Sequence, residues 1–222
     1  MYNIKENLNI IKDIIESSHK NSNFSKNPAP KLVAVSKKQN EEKVIEALEA
    51  GQTFFGENRV QEAEQRWALK LEQYSNLEIR LIGPLQTNKV KQALNLFDVI
   101  ETIDREKVAK EIAKNINEEV KTKSFYIQIN TGSEIQKSGI EPLDSDNFIK
   151  YCKEDLRLPV VGLMCIPPLN EEPSMHFALL KKIADRNSLS ELSMGMSNDF
   201  KEAIKFGATS VRVGSSIFGK RE

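Results

Sequence analysis

The chain has 222 residues, with 32 Lys and Arg against 32 Asp and Glu, and a mean hydropathy of −0.45. Zero net charge argues against a nucleic-acid binder, and a chain of this length buries about 70% of its unfolded surface without staples. Two cysteines, Cys152 and Cys165, and two histidines, His19 and His176, exclude a disulfide scaffold and a Cys- or His-rich metal site.

No stretch reaches the roughly 18 apolar residues of a membrane helix. The start, Met1-Tyr2-Asn3-Ile4-Lys5-Glu6, lacks the apolar core and cleavage site of a signal peptide, so the expected location is the cytoplasm. Ile4, Leu8, Ile11, Ile14 and Ile15 share one helical face, which predicts a helix over 4–20, followed by a loop over 21–30. A rhythm then begins. Strands are predicted at 32–36, 53–56, 78–82, 97–102, 124–130, 160–166, 191–194 and 209–213. Helices are predicted at 41–50 (closed by Gly51), 59–74, 87–94, 105–120, 143–155, 172–186 and 198–206, with a short tail after Gly214. Asp104 is expected to cap the helix 105–120, which would bury Val108, Ile112, Ile116 and Val120. Eight strand-then-helix units predict a parallel sheet closed into a single (β/α)8 barrel over 1–222, with an extra N-terminal helix; the rival is an open doubly wound sheet. Within 124–130, Phe125, Ile127 and Ile129 are expected to face the helices. Tyr126, Gln128 and Asn130 should then face the lumen, with Asn130 bordering a site.

Barrel sites lie at the C-terminal ends of the strands. The first strand runs into Val35-Ser36-Lys37, and burial in a dry lumen would lower the lysine pKa and free its amine to form a Schiff base. The seventh and eighth units carry Met194-Gly195-Met196-Ser197-Asn198 and Arg212-Val213-Gly214-Ser215-Ser216. Barrels often bind phosphate at these loops. The glycines let backbone approach closely, Ser197 or Asn198 would cap the next helix, and the Ser197 and Ser215 hydroxyls are further donors. Two ordinary helix caps are the alternative. Arg212 lies in a strand suited to burial and needs a partner there, either a cofactor ring nitrogen or a barrel carboxylate. A Schiff-base lysine with a phosphate cradle suggests pyridoxal 5′-phosphate (PLP).

Several blocks strengthen this. They are Leu32-Val33-Ala34-Val35-Ser36-Lys37, Phe55-Gly56-Glu57-Asn58-Arg59-Val60-Gln61-Glu62 and Ile82-Gly83-Pro84-Leu85-Gln86-Thr87-Asn88-Lys89. Gln136-Lys137-Ser138-Gly139-Ile140, Gly162-Leu163-Met164-Cys165-Ile166-Pro167-Pro168 and Leu192-Ser193-Met194-Gly195-Met196-Ser197-Asn198-Asp199-Phe200 continue the series, which Arg212-Val213-Gly214-Ser215 and Ile217-Phe218-Gly219 complete. In order and over nearly the whole chain, they resemble the PLP homeostasis protein family. The resemblance implies the barrel domain of alanine racemase, with Lys37 holding PLP as a Schiff base. Ser197, Gly214 and Ser215 would hold the phosphate, Arg212 would face the pyridine nitrogen, and Asn58 and Met164 would line the pocket. The chain departs from the family's usual pattern at Ile79-Arg80-Leu81, where members carry an aromatic-His-Phe run. It departs again at Cys165, often a threonine and here expected to be a buried structural thiol.

The same resemblance implies a protein of intracellular PLP (vitamin B6) balance with little or no catalysis and no catalytic residues. A fixed cation at the ring nitrogen disfavours its protonation and weakens the electron sink. The sequence ends at Glu222 after the eighth unit, so the second domain of a racemase, with its catalytic tyrosine, is not expected. None of Tyr2, Tyr74, Tyr126 and Tyr151 sits in a motif matching that base. Expected partners are PLP and PLP-dependent apoenzymes, with no nucleic acid, no membrane, no metal and a monomeric chain. A PLP-dependent racemase and a Schiff-base phosphosugar enzyme or aldolase are the alternatives. His19 is expected at the surface, His176 to be satisfied locally, Trp67 to pack on the second helix, and Glu118 and Glu119 to be a solvated helix end.

Overall fold

Asn3 opens the first helix, α1 (Ile4–Lys20), its side chain accepting from the Glu6 N–H at 3.0 Å. The face bearing Ile4, Leu8, Ile11 and Ile15 is buried, each side chain contributing about 1.5–3 kcal/mol. This face sets α1 against α2 (Glu41–Glu49), α8 (Phe200–Lys205) and α9 (Ser215–Phe218), outside the barrel. In the computed structural model, which describes residues 3–74 and 76–219, eight strands close into a barrel in chain order, all parallel. The strands are β1 (Lys31–Val35), β2 (Phe54–Glu57), β3 (Glu78–Leu81), β4 (Val99–Ile103), β5 (Ser124–Ile129), β6 (Val160–Cys165), β7 (Glu191–Met196) and β8 (Ser210–Val213). Their crossovers are α2, α3 (Val60–Gln73), α4 (Val90–Leu96), α5 (Glu106–Asn115), α6 (Ser145–Lys150), α7 (Pro173–Arg186) and α8. Among the described residues no helix is long and apolar enough to cross a membrane.

The predicted alternation along β5 holds. Phe125, Ile127 and Ile129 join the core between strands and helices, while Tyr126 packs in the lumen with Val99 and Met164. Trp67 is fully buried in α3, its ring 4.7 Å from that of Phe55, and Gly51 closes α2 with φ +81°.

Some boundaries differ. Helix 105–120 stops at Asn115: Ile116 turns extended, and the Asn117 side chain accepts from the Glu119 and Val120 N–H groups at 2.9 and 3.2 Å. Val120 is still buried, and Glu118 and Glu119 are solvated, but in a turn rather than a helix. Asp104 does not cap α5. Arg105 takes the cap position and Asp104 pairs with its guanidinium at 2.5 Å. Helix 143–155 becomes α6 followed by a wider turn over 151–155, where the Leu156 N–H reaches the Tyr151 carbonyl. The fourth strand lies at 99–103 instead of 97–102, because Phe97 still bonds back to Ala93. His19 is not a surface residue: it is buried, with Nε2 2.9 Å from the Asn27 carbonyl. His176 is also buried, 3.2 Å from Glu171 but not aligned for a hydrogen bond.

Candidate functional site

The residue that follows Ser36 at the mouth of β1 is held from three sides. The Gln39 N–H bonds the Ser36 carbonyl at 3.1 Å, closing a tight turn over Lys37 and Lys38, the latter at φ +56°. From α3, Arg66 donates to the Ser36 carbonyl at 2.6 Å, to the Gln39 carbonyl at 2.7 Å and to Glu57 at 2.8 Å. Glu57, fully buried at the end of β2, also accepts from the Ser36 hydroxyl at 2.7 Å and from the Trp67 indole at 3.0 Å. One carboxylate oxygen thus ties two strand ends to a helix around Lys37.

Lys37 is half-buried and lines a cavity of about 450 Å³ at the C-terminal mouth, within the size range of small-ligand sites. It stands at the rim and not in a dry lumen, because the lumen below is filled. Arg80 of β3 pairs with fully buried Glu101 of β4 at 2.9 Å, and the Ser193 hydroxyl donates to the other Glu101 oxygen at 2.5 Å. Burial opposes the charge of Arg80, but Glu101, Tyr126 and Glu78 outweigh it and hold the guanidinium pKa above its ordinary value. The tyrosine hydroxyl is pushed up by burial. Arg80 is one of the departures from the family pattern, and here it supplies the buried cation of this floor.

Arg212 tops the floor. It is buried, with one Nη 2.6 Å from the Ser193 oxygen and the other 2.8 Å from the Cys165 carbonyl. Its link to a carboxylate therefore runs through Ser193 to Glu101. Opposite, the loops after β7 and β8 meet, the Gly214 N–H lying 3.4 Å from the Ser197 hydroxyl. Ser215 begins α9, where the Ile217 and Phe218 N–H groups bond back to the Gly214 carbonyl at 3.0 and 2.9 Å, leaving those of Ser215 and Ser216 without an intrahelical acceptor. Neither Ser197 nor Asn198 caps α8. Asp199 occupies that position, and its carboxylate turns back to the Met196 N–H at 2.5 Å. Gly195, at φ +90°, is required by packing, since a Cβ there would meet Ala203 at 2.6 Å.

Lys37, Asn58, Ser197, Arg212, Gly214 and Ser215 all line this one cavity. Met164 does not; it is fully buried one layer down, against Val99 and Tyr126. Ile82, Ile166, Pro167 and Pro168 form the walls without having been singled out as site residues, although all four lie in motif blocks at strand ends. Asn130 borders an adjoining cavity, its amide donating to the Glu134 carbonyl at 3.0 Å and to Glu141 at 3.1 Å. Asn58 Oδ1 is buried without a partner, a polar atom left for a ligand. Cys165 is wholly buried and its thiol is pushed up to about 12 by burial, as is that of Cys152. Iodoacetamide at pH 8 is therefore expected to alkylate neither cysteine in the folded protein and both in urea; mass spectrometry of the native sample reads this directly.

The alanine racemase N-terminal domain family matches residues 3–222. A pyridoxal phosphate homeostasis protein of Haemophilus influenzae is 38% identical over 233 aligned residues, covering 99% of this chain and 96% of its own. PipY of Synechococcus elongatus, solved with PLP bound, superposes with a TM-score of 0.81 at 31% identity, covering 97% of this chain and all of that one. Alanine racemase of Clostridium difficile shares the fold alone, with a TM-score of 0.72 at 16% identity over 98% of this chain and 56% of that enzyme. With identity at this level along its full length, the chain belongs to the pyridoxal phosphate homeostasis proteins, a family built on the N-terminal domain of alanine racemase.

Proposed function

We propose that this protein binds PLP at the mouth of the barrel and serves the cytoplasmic balance of that cofactor as a single-domain monomer, with little or no catalysis of its own. The observation that carries the reading is the convergence of Lys37, Arg212 and the Ser197–Gly214–Ser215 loops on one cavity. When bound, PLP supplies an aldehyde that an amine can capture and a ring that can draw electrons. Lys37 is the amine in reach, presented by a turn that Arg66 and Glu57 clamp. Ser197, Gly214 and Ser215 would hold the phosphate, where a hydroxyl pair and the N–H groups of Ser215 and Ser216 would supply donors. Asn58 brings its unpartnered oxygen. Met164 supports the floor from below.

Arg212 argues against strong carbanion chemistry such as transamination and leaves racemisation open, against which the want of a second base counts. Fixed by Ser193 and the Cys165 carbonyl, it keeps a positive charge where a ring nitrogen would otherwise take a proton. No tyrosine among the described residues lines the cavity, and Tyr126 is packed beneath it; Tyr2 lies outside those residues. Each missing acid–base group forfeits about 10²–10⁴ in rate. PLP-dependent apoenzymes are the recipients this reading implies. The reading of the relative solved with PLP bound is consistent with it.

The test is a visible spectrum of the protein with PLP added, before and after borohydride, beside Lys37→Ala. Wild type is expected to turn yellow and to retain the cofactor covalently on Lys37 after reduction, while the variant retains none. A wild type that stays colourless with excess PLP overturns the proposal.

A further inference from the structure

Across Asn58 the same mouth opens into a second, larger cavity of about 690 Å³, over the loops that follow β2, β3 and β4. Three cations converge on it: Arg59 at the start of α3, Lys89 at the end of the tight turn before α4, and Arg105 at the start of α5. None of the nine residues lining it is acidic, in a chain whose charges cancel overall. Arg105 is oriented by its neighbours, one Nη on Asp104 at 2.5 Å and the other on the Leu85 carbonyl at 2.9 Å. Arg59, itself exposed, reaches half-buried Glu62 at 3.2 Å. Neither α3 nor α5 has a side-chain cap, so the positive ends of two helices of 14 and 10 residues add to the field of the three side chains. Gln61 and Gln86 add neutral donors. Arg59 and Lys89 also belong to the two motif blocks around Asn58 and Ile82, of which the cofactor cavity uses only Asn58 and Ile82.

We propose that this cavity is a second anion site, which takes a small phosphate-bearing molecule of the diphosphate or phosphate-monoester class beside the cofactor. Arg59 and Arg105 each share their charge with one carboxylate, yet their guanidinium forks and the point-like ammonium of Lys89 match phosphate oxygens. The site is separate from the Ser197–Gly214–Ser215 cradle, which belongs to the loops after β7 and β8. A ligand there would touch Asn58, the residue common to both cavities.

The test is calorimetric titration of the full chain at low salt with inorganic pyrophosphate, inorganic phosphate and succinate. It is run on protein as purified and on protein loaded with PLP and reduced by borohydride. In the loaded and reduced state, where PLP fills the cradle, pyrophosphate is expected to bind one-to-one and more tightly than succinate; in the unloaded state the equivalent that depends on Lys89 reports this cavity. Lys89→Gln and Arg59→Gln, both at accessible positions, should each weaken it about tenfold, while Ser197→Ala leaves it unchanged. Weakening as salt rises should accompany this. Pyrophosphate that is displaced by PLP loading, lost in Ser197→Ala and indifferent to Lys89→Gln lies in the cofactor cradle, and overturns the proposal. So does the absence of binding, and so does succinate binding as tightly. Should PLP fail to load, the reading of the cofactor site falls, while the unloaded protein still decides the anion site.

Discussion

Glu57→Ala is expected to lower the unfolding free energy by about 3–5 kcal/mol, the range for breaking a buried ion pair from one side. The carboxylate is fully buried and takes three donors on one oxygen: the Ser36 hydroxyl, the Arg66 guanidinium and the Trp67 indole. Its removal leaves a mostly buried guanidinium with only the exposed Glu41 carboxylate, 3.9 Å away, and an indole N–H without an acceptor. The damage is not confined to stability. Arg66 grips the backbone on both sides of Lys37, so a loosened Arg66 loosens the lysine. PLP fixation by Lys37 should slow in the same variant. Glu57→Gln, which keeps the shape and loses the charge, should fall between the two. Urea denaturation with an unchanged m-value measures the first effect, and the rate of borohydride-trapped labelling the second. A Glu57→Ala protein within about 1 kcal/mol of wild type would show that the brace contributes little.

Glu101→Ala should be as costly, about 3–5 kcal/mol, for a related reason. It strands Arg80, which is only 2% exposed and otherwise pairs with half-buried Glu78. It also removes the acceptor that orients the Ser193 hydroxyl, and Ser193 in turn fixes Arg212. Affinity for PLP should drop together with stability. The joint variant Arg80→Leu/Glu101→Leu separates the causes, because buried ion pairs replaced as a unit by apolar residues are often neutral. Stability should largely return, while Ser193 loses its orienting acceptor, Arg212 is held less firmly and PLP binding stays weak. A double variant as unstable as Glu101→Ala alone would refute the stranded-charge account.

The alternation of strands and helices was legible because each segment carries its own period, and closure followed from counting eight of them. Boundaries were lost where a side chain competes with the backbone. Ile112, Ile116 and Val120 keep helical spacing, yet Asn117 captures two N–H groups and ends the helix early. The lysine, the arginine and the serine–glycine loops of the site were legible because barrel chemistry sits at strand ends. Met164 is on the expected strand but one layer too deep, a matter of register that no local pattern reveals. The brace of Glu57, Arg66 and Trp67 joins β1, β2 and α3, and its only trace in the sequence is an acidic residue closing an apolar strand. The basic cavity is similarly spread over three loops, each of which alone holds one unremarkable cation.

The plugged lumen also fixes a route. With Arg80, Glu101, Tyr126 and Met164 closing the barrel beneath the cavity, nothing bound there can pass through to the other end. Arrival and departure share a single doorway on the C-terminal face. A protein resting on that face would therefore act as a stopper, setting the lifetime of the contents without touching the chemistry that holds them.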